Sequence, residues 1–568
     1  MSASMGGTPL GLLHEFAVVA AALPVELALY CVPIAALLVL FLVFVRSGQF
    51  ARAFWCVILI LVADFLFSSG EDTSHHVYRI IALTAQLRHG GIDFLLTNPA
   101  TGEVFPVFVY YSFVPYILPV LLHIAGCAPL FAFKVAMALQ LVVLAAGLQA
   151  LLTKIPLTQE HQSSRAWFLV SILFVTATYV DGLWWTRAAL AEIWVYSLAP
   201  WVVFAILSPS QPRLLFMLLF VQICSHPVLF IHSLVAELAA AFGVSSLSLV
   251  TVLRRSVAPL AIALAVGSPY WLPQFLWMHD VLGNSALPLK FEDTFLYVAD
   301  LINPLHPRNL GICLPLAVVT MIGASRERLP LRAWVLVVSF VALLALQHAR
   351  LRGITTHIPL LDLSQYVWRL MFPTAFIAFA ALVAGWRALS TPAARILCTL
   401  ALLSPFSLLL FHAIALPDNL MLLAHVRYDN AGYADYLRAG NVWGVAPFVP
   451  NYVDLPQKCD AVLGGETHSA SFRQLRTGVR ADSGFVSVKG APIGFVDYKV
   501  NGVSIHPHAC RDALLFGPLA PNSIVSVSES KLDHLLYLRV LTLILGLAGS
   551  LPLMQLAKFL RRWVSSPS

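Results

Sequence analysis

The sequence predicts a polytopic α-helical membrane protein of roughly eleven to fourteen spans, with a small exoplasmic, mainly β C-terminal domain and a final transmembrane helix. Three observations predict it. Of the 568 residues, 59% are hydrophobic and 11% charged, and mean hydropathy is +0.82. A soluble domain carries roughly 25% charged residues. Apolar runs recur along the chain at close to the ~20 residues that a spanning helix needs. Strict alternation of polar and apolar residues, the mark of a half-buried strand, is confined to a polar stretch near the C-terminus.

The candidate spans are Leu27–Val45, Ala51–Phe67, Tyr111–Ile124, Leu130–Leu152, Trp167–Val180, Ile193–Leu207, Leu214–Cys224, Val228–Phe242, Ala258–Met278, Cys313–Ile322, Ala333–Leu346, Ala375–Trp386, Ile396–Ile414 and Leu535–Leu556. Some are short enough to be re-entrant or fused in pairs. They divide the chain into N-terminal spans (1–68), a membrane body (69–415) that includes an exoplasmic loop at 69–110, a β-rich exoplasmic domain (416–532), and a last helix with a basic cytoplasmic tail (533–568). The first residues lack a basic n-region and a small-residue cleavage site, so they read as a retained segment.

Basic residues in short loops set orientation. Arg46 and Arg52 lie between the first two spans, Arg254 and Arg255 precede another, and Lys558, Arg561 and Arg562 follow the last. These sides read as cytoplasmic, which leaves the loop after Phe67 and the β-rich domain on the exoplasmic side. The net charge of +7 fits a positive-inside protein, and no nucleic-acid partner is implied.

Six cysteines lie in or beside apolar spans and read as small core hydrophobes. Cys459 and Cys510 are the two in the polar C-terminal stretch. An oxidising compartment makes one disulfide between them the expectation, with two free thiols as the alternative. In the same stretch Gly484–Gly490, Phe495–Val500 and Ser523–Glu529 alternate, and Asn501-Gly502 is a hairpin turn signal. A small sandwich-like module fits this pattern.

The chemistry concentrates where the second apolar run ends. Glu71, Asp72, His75, His76 and Arg79 crowd one membrane boundary, where ionisable groups are costly and by default functional. Asp72, His75, His76 and Arg79 stand at i, i+3, i+4 and i+7, one face of a helix. Asp181, Arg187 and Glu192 break a later span, His226 sits between two others, and Arg369 opens another beside Tyr366 and Trp368. Each has a plainer reading. Arg187 and Glu192 can simply pair, Arg369 can snorkel to headgroups, His226 fits an interhelical hydrogen bond better than catalysis, and Trp184, Trp185 and Trp368 fit an interfacial belt. Together they place an acid, several cations and aromatics at one bilayer face, which suits a lipid-linked anionic substrate. No phosphate-loop, HExxH, GxSxG or CxxC motif occurs, so ATP-driven pumping and standard cluster or haem electron transfer have no support.

Five segments, in order, carry a resemblance. They are Asp72-x-x-His75-His76-x-x-Arg79 with Leu87-Arg88-His89-Gly90-Gly91 and Phe105–Tyr111 ahead of Pro115; Arg187–Trp194 with Pro200; Ser268–Pro273; Gln365–Arg369; and Tyr498–Gly502 ahead of the last span. With these, the chain resembles the GT-C superfamily of integral-membrane glycosyltransferases over nearly its whole length. It is most similar to the bacterial group labelled 6-pyruvoyl-tetrahydropterin-synthase-related or YfhO-like membrane proteins. No pterin chemistry follows from that label. The resemblance implies a polyprenyl-phosphate-linked sugar donor used on the exoplasmic side of a bacterial inner membrane. It also implies a glycan, lipid or protein acceptor of the cell envelope and an essential acid at Asp72, with Glu71 as its neighbour. Where the family often carries a Gly-Tyr-Gly-x-Pro run, this chain has Asn98–Pro106, so the acceptor is not implied.

The residues support such a transfer on physical grounds. Glycosyl transfer with inversion needs a base for the acceptor hydroxyl and stabilisation of the departing phosphate. Asp72 suits the base. Arg79, Arg187 or Arg369 suits a bidentate phosphate clamp, with His75, His76 and Glu192 around it. Asp72 with His76 is also a generic ligand pair for a divalent cation such as Mg or Mn. Two other readings stay open: a transporter or flippase of lipid-linked saccharides, to which Asp64 and Glu237 within apolar runs would belong, and a non-catalytic envelope assembly protein.

Overall fold

The structure is a computed structural model that describes residues 32–66, 72–88, 96–97, 104–105, 107–110, 112–155, 162–185, 187–276, 294–298, 300, 310–325, 329–358, 361, 366–386, 391–428, 467–470, 472–481, 484–488, 496–509 and 514–548. In chain order the helices of the membrane body are α1 (Val32–Arg46), α2 (Phe50–Leu66), α3 (Thr73–Arg88), α4 (Val107–Tyr110), α5 (Ile117–Ile124), α6 (Pro129–Leu152), α7 (Gln162–Val175) and α8 (Thr178–Gly182). They continue as α9 (Leu190–Ser197), α10 (Ala199–Leu207), α11 (Pro212–Ser225), α12 (Pro227–Val244), α13 (Leu249–Val266), α14 (Ser268–Leu276), α15 (Cys313–Ser325), α16 (Leu331–Leu346), α17 (Arg352–Thr355), α18 (Met371–Gly385) and α19 (Thr391–Tyr428). A two-strand ribbon, β1 (Leu96–Thr97) and β2 (Val104–Phe105), lies between α3 and α4.

Among the described residues, six stretches are long and apolar enough to cross a membrane: Pro129–Leu151, Leu190–Leu207, Pro227–Val244, Leu249–Val266, Val367–Gly385 and Pro392–Leu409. Shorter apolar helices accompany them, α1, α11 and α16 among these. Valine and leucine side chains stand exposed along α1, α13, α15 and α16, including Val39, Val43, Val250, Val257, Val319, Val338 and Val341. In water such rows would be a liability; against lipid they are the outer wall. The chain is an integral membrane protein.

α18 is the central helix. It is apolar on every side, and nearly all of it is buried. Ala375, Ala378, Ala380 and Ala381 let neighbouring helices approach closely. Phe372, Phe376 and Phe379 meet Phe174 of α7 at centroid distances of 5.7, 5.7 and 5.3 Å.

One expectation shifts. The span expected at Ala258–Met278 begins earlier, at Leu249, and breaks at Gly267 before α14. Hydropathy missed the first turns because Arg254 and Arg255 sit there. Arg255 in fact donates to the Ile206 carbonyl at 3.1 Å, capping the end of α10. α19 runs from Thr391 through residue 416 to Tyr428.

The C-terminal strands are β3 (Thr467–Ala470), β4 (Val479–Ala481), β5 (Gly484–Val488), β6 (Asp497–Val500), β7 (Val503–Ser504), β8 (His508–Ala509), β9 (Leu514–Leu519) and β10 (Ser523–Ser528), with a short helix α20 (Phe472–Thr477) among them. They form two four-stranded sheets, ordered β4-β10-β6-β7 and β3-β5-β9-β8. Only β3–β5 pairs in parallel among the described strands. Tyr498 and Phe516, one from each sheet, pack at 5.7 Å in the shared core. The Asn501-Gly502 signal is met: β6 and β7 pair antiparallel around it, with φ of +52° and +81°. Those left-handed angles are why asparagine and glycine occupy the turn. Cys459 and Cys510 lie outside the described residues, as do Glu71 and the tail beyond 548. The last helix, α21 (Ser530–Ala548), carries Lys531, Asp533 and Arg539 along its described length.

Arg539 is fully buried. Its guanidinium donates to the main-chain oxygens of Phe108, Val109 (2.9 Å) and Pro269 (2.8 Å), and the Tyr270 hydroxyl returns a bond to the Arg539 carbonyl at 2.8 Å. One side chain thus ties the last helix to α4 and α14.

Candidate functional site

The site grows from two chain reversals. At the first, Asp72 directly precedes α3, and its carbonyl accepts the first helical bond, from His76 N–H at 3.1 Å. A carboxylate here faces the positive end of the helix and the free amides of its first turn. At the second, the chain turns between α8 and α9. Arg187 N–H bonds to the Gly182 carbonyl (2.8 Å), and Ala188 takes a left-handed φ of +53°. A residue with a Cβ in that region stores strain of the kind concentrated at functional sites. Main chain joins the two reversals: Asp72 N–H donates to the Arg187 carbonyl at 2.9 Å.

Side chains converge on that junction. Glu192, in the first turn of α9, accepts both terminal nitrogens of Arg187 at 2.7 and 2.9 Å and Arg369 Nε at 2.8 Å. Arg187, Glu192 and Arg369 are all buried, whereas the Asp72 side chain is 34% exposed and its Oδ2 lies 3.8 Å from Arg187. Arg369 is held from behind. Its guanidinium stacks over Tyr366 at 5.1 Å, and its carbonyl accepts the Tyr196 hydroxyl at 3.1 Å. Among the described residues, two guanidiniums face one buried carboxylate in a low-dielectric setting, beside an accessible acid.

His76 and Arg79 form an adjoining network. Leu190 N–H, at the start of α9, donates to His76 Nε2 at 3.3 Å. That bond assigns the proton to Nδ1, which donates to the Tyr116 hydroxyl at 2.7 Å. Arg79 donates to the same oxygen at 2.9 Å. Burial, reinforced by Arg79, holds His76 well below the usual histidine range; the same two causes push His75 down to about 3. Both imidazoles are therefore neutral at ordinary pH and contribute no cationic charge. With both His76 nitrogens spent on protein partners, the Asp72–His76 pair does not fit a metal. No group of three His, Cys, Asp or Glu gathers as a metal site among the described residues.

Thus Asp72, Arg187, Glu192 and Arg369 come together from three distant segments, and Arg187 does pair with Glu192. His76 and Arg79 lie one layer away, and His75 is half-buried on α3. His226 caps α12, accepting from Leu229 N–H at 3.4 Å, a bond within one helix start and not the interhelical one expected. Sequence reasoning missed Tyr116, which unites His76 and Arg79, and it missed His412, which lies between Asp64 and Asp181. The signal for His412 was an ionisable residue inside an apolar run, Ile396–Ile414. Asp64 and Glu237 are both engaged within the bundle, Glu237 by Gln222 and Ser233 at 2.7 Å each.

Fold and cluster define a class: an integral membrane protein with a charged site at one end of its helical bundle. No protein-family model and no curated protein matches this chain. Among solved structures it is similar to two cryo-EM structures of the arabinofuranosyltransferase AftD from Mycobacteria, one of them a mutant. Identities are 12% and 15% and TM-scores 0.40 and 0.39, with 65% and 63% of this chain covered. The chain spans about a quarter (27%) of the length of AftD.

Proposed function

We propose that this chain is a GT-C-type membrane glycosyltransferase that moves a sugar from a polyprenyl-phosphate-linked donor to a cell-envelope acceptor on the exoplasmic face. The observation that carries the reading is the pairing of an accessible carboxylate, Asp72, with a buried Arg187–Glu192–Arg369 cluster of two guanidiniums and one carboxylate. In the proposed step Asp72 takes the proton of the acceptor hydroxyl. The hydroxyl oxygen bonds to the anomeric carbon, and the bond from that carbon to the phosphate oxygen breaks. The electron pair leaves with the phosphate, whose charge the two guanidiniums offset. Glu192 positions both guanidiniums, and neutral His76 fixes α3 against α9.

Arg52 at the start of α2 and Arg255 at the far end of the α9–α10 pair support the orientation. The 18 residues from Leu190 to Leu207 span about 27 Å as helix, separating the Arg255 end from the end that carries Glu192. A transporter of lipid-linked saccharides is the second reading, favoured by Asp64 and Glu237 buried within helices.

The test is Asp72→Asn, expressed at the wild-type level in a deletion strain, with mass spectrometry of envelope glycans and polyprenyl-phosphate sugars. Loss of a positioned base predicts a fall in transfer of about 10²–10⁴-fold, accumulation of the lipid-linked donor, and normal insertion. Full restoration by Asp72→Asn would remove Asp72 from the mechanism.

A further inference from the structure

A second charged cluster lies outside the proposed chemistry. His412 of α19 binds Asp64 of α2 through Nδ1, and its Nε2 lies 2.8 Å from Asp181 Oδ2 of α8. Its ring stacks on Trp185 with centroids 4.0 Å apart and planes 3° from parallel. All three side chains are sealed: Asp64 and His412 are 1% exposed and Asp181 6%.

Charge balance fixes a proton count. A neutral imidazole offers one N–H and one lone pair. Nδ1 bonds to Asp64, and Nε2 meets Asp181 Oδ2 at 2.8 Å as an ion-pair contact off the line of a hydrogen bond; two ionised carboxylates against one neutral ring would bury two uncompensated charges, so a further proton is needed to offset one of them. The cluster therefore holds one proton more than a neutral histidine and two aspartates supply. It sits on the imidazole as imidazolium or on a carboxyl oxygen; either way, it is part of the structure.

We propose that Asp64, Asp181 and His412 form a buried binding site for a single proton, and that this proton fixes the turn carrying Arg187. Asp181 is the foot of that turn: its carbonyl accepts Trp184 N–H at 2.9 Å and Trp185 N–H at 3.0 Å, and Arg187 closes onto Gly182. Trp185 lies flat on His412, so the imidazole grips the turn at two residues. The charged groups facing His412 are Asp64 from α2 and Asp181 from α8. Lys134 of α6 donates to the Phe65 carbonyl beside them, at 2.9 Å. Removal of the proton leaves two uncompensated carboxylates buried against one neutral ring and releases the foot of the turn. The relevance to Arg187 rests on the site described above; the proton site does not rest on sugar transfer.

Asp181→Asn separates the possibilities. A carboxamide N–H can donate to Nε2 of a neutral imidazole while Nδ1–H keeps Asp64, so the variant needs no extra proton. The full chain, in lipid nanodiscs without substrate, is unfolded by heat at a series of pH values from neutral to about pH 10. Wild type loses several degrees of midpoint over that range and Asp181→Asn does not. At the alkaline end, amides across 182–189 exchange faster in wild type than in the variant. If Asp181→Asn yields no folded protein, Asp64→Asn makes the same comparison by symmetry. Equal pH dependence in wild type and the folded variant overturns the proton site, and equal exchange across 182–189 overturns its hold on the turn. Neither readout needs enzyme activity, so a failed transferase assay leaves both intact.

Discussion

Among the described residues are two buried ion clusters of opposite composition, six residues apart at their closest point in the chain, from Asp181 to Arg187. One sets two arginines around Glu192 and keeps a third-exposed carboxylate, Asp72, on its open edge. The other sets two aspartates around His412 and keeps nothing exposed. Burial alone therefore does not mark a reactive site. A cluster that acts on a substrate needs one member that water, and hence substrate, can reach; a cluster closed on all sides can act only on the protein around it.

The comparison breaks most visibly at Glu192. Glu192→Ala leaves two buried guanidiniums without the carboxylate that joins them. Removing one partner from a buried ion cluster costs about 3–5 kcal/mol, so the variant should show a large loss of folded, membrane-inserted protein. Asp72→Asn, at the exposed edge, should leave thermal stability near wild type while abolishing transfer. Equal thermal loss in the two variants would erase the distinction drawn between them.

Tyr116→Phe sharpens it by one step. Its hydroxyl serves His76 and Arg79 together, and removal leaves two buried donors short of an acceptor, worth about 1–3 kcal/mol. A thermal shift of that size is expected, with a smaller effect on transfer than Asp72→Asn has. A rate loss as deep as that of Asp72→Asn would move the His76–Tyr116–Arg79 network into the reactive group.

The smallest effect lies in the turn that links the clusters. At Ala188, glycine relieves about 1–2 kcal/mol of left-handed strain against about 0.5–1 kcal/mol of added chain entropy. Ala188→Gly should therefore be neutral to slightly stabilising and Ala188→Val clearly destabilising, as read by thermal unfolding. Destabilisation by glycine comparable to that by valine would show that the buried methyl, and not φ, governs the position.

Much of this arrangement was legible in local pattern. The i, i+3, i+4, i+7 spacing placed Asp72, His76 and Arg79 along one helix start, and alternation with Asn501-Gly502 placed β5, β6, β7 and β10. What pattern could not give was which distant segments meet. Glu192 and Arg369 are 177 residues apart and His412 and Asp64 are 348 apart, and no periodicity spans such distances. Hydropathy also misjudged the start of α13, because Arg255 bends to a helix end and lets its backbone stay in an apolar helix. His412 was passed over because a single histidine leaves an apolar average almost unchanged.

Arg539 carries a consequence for how the molecule is made. The carbonyls of Phe108, Val109 and Pro269 are synthesised long before the guanidinium that binds them, and buried backbone carbonyls require a partner. Until α21 arrives, α4 and α14 lack this fastening, while α3 is already held to Tyr116 through His76 and Arg79. Arg539 thus serves as a clasp shut late in biogenesis.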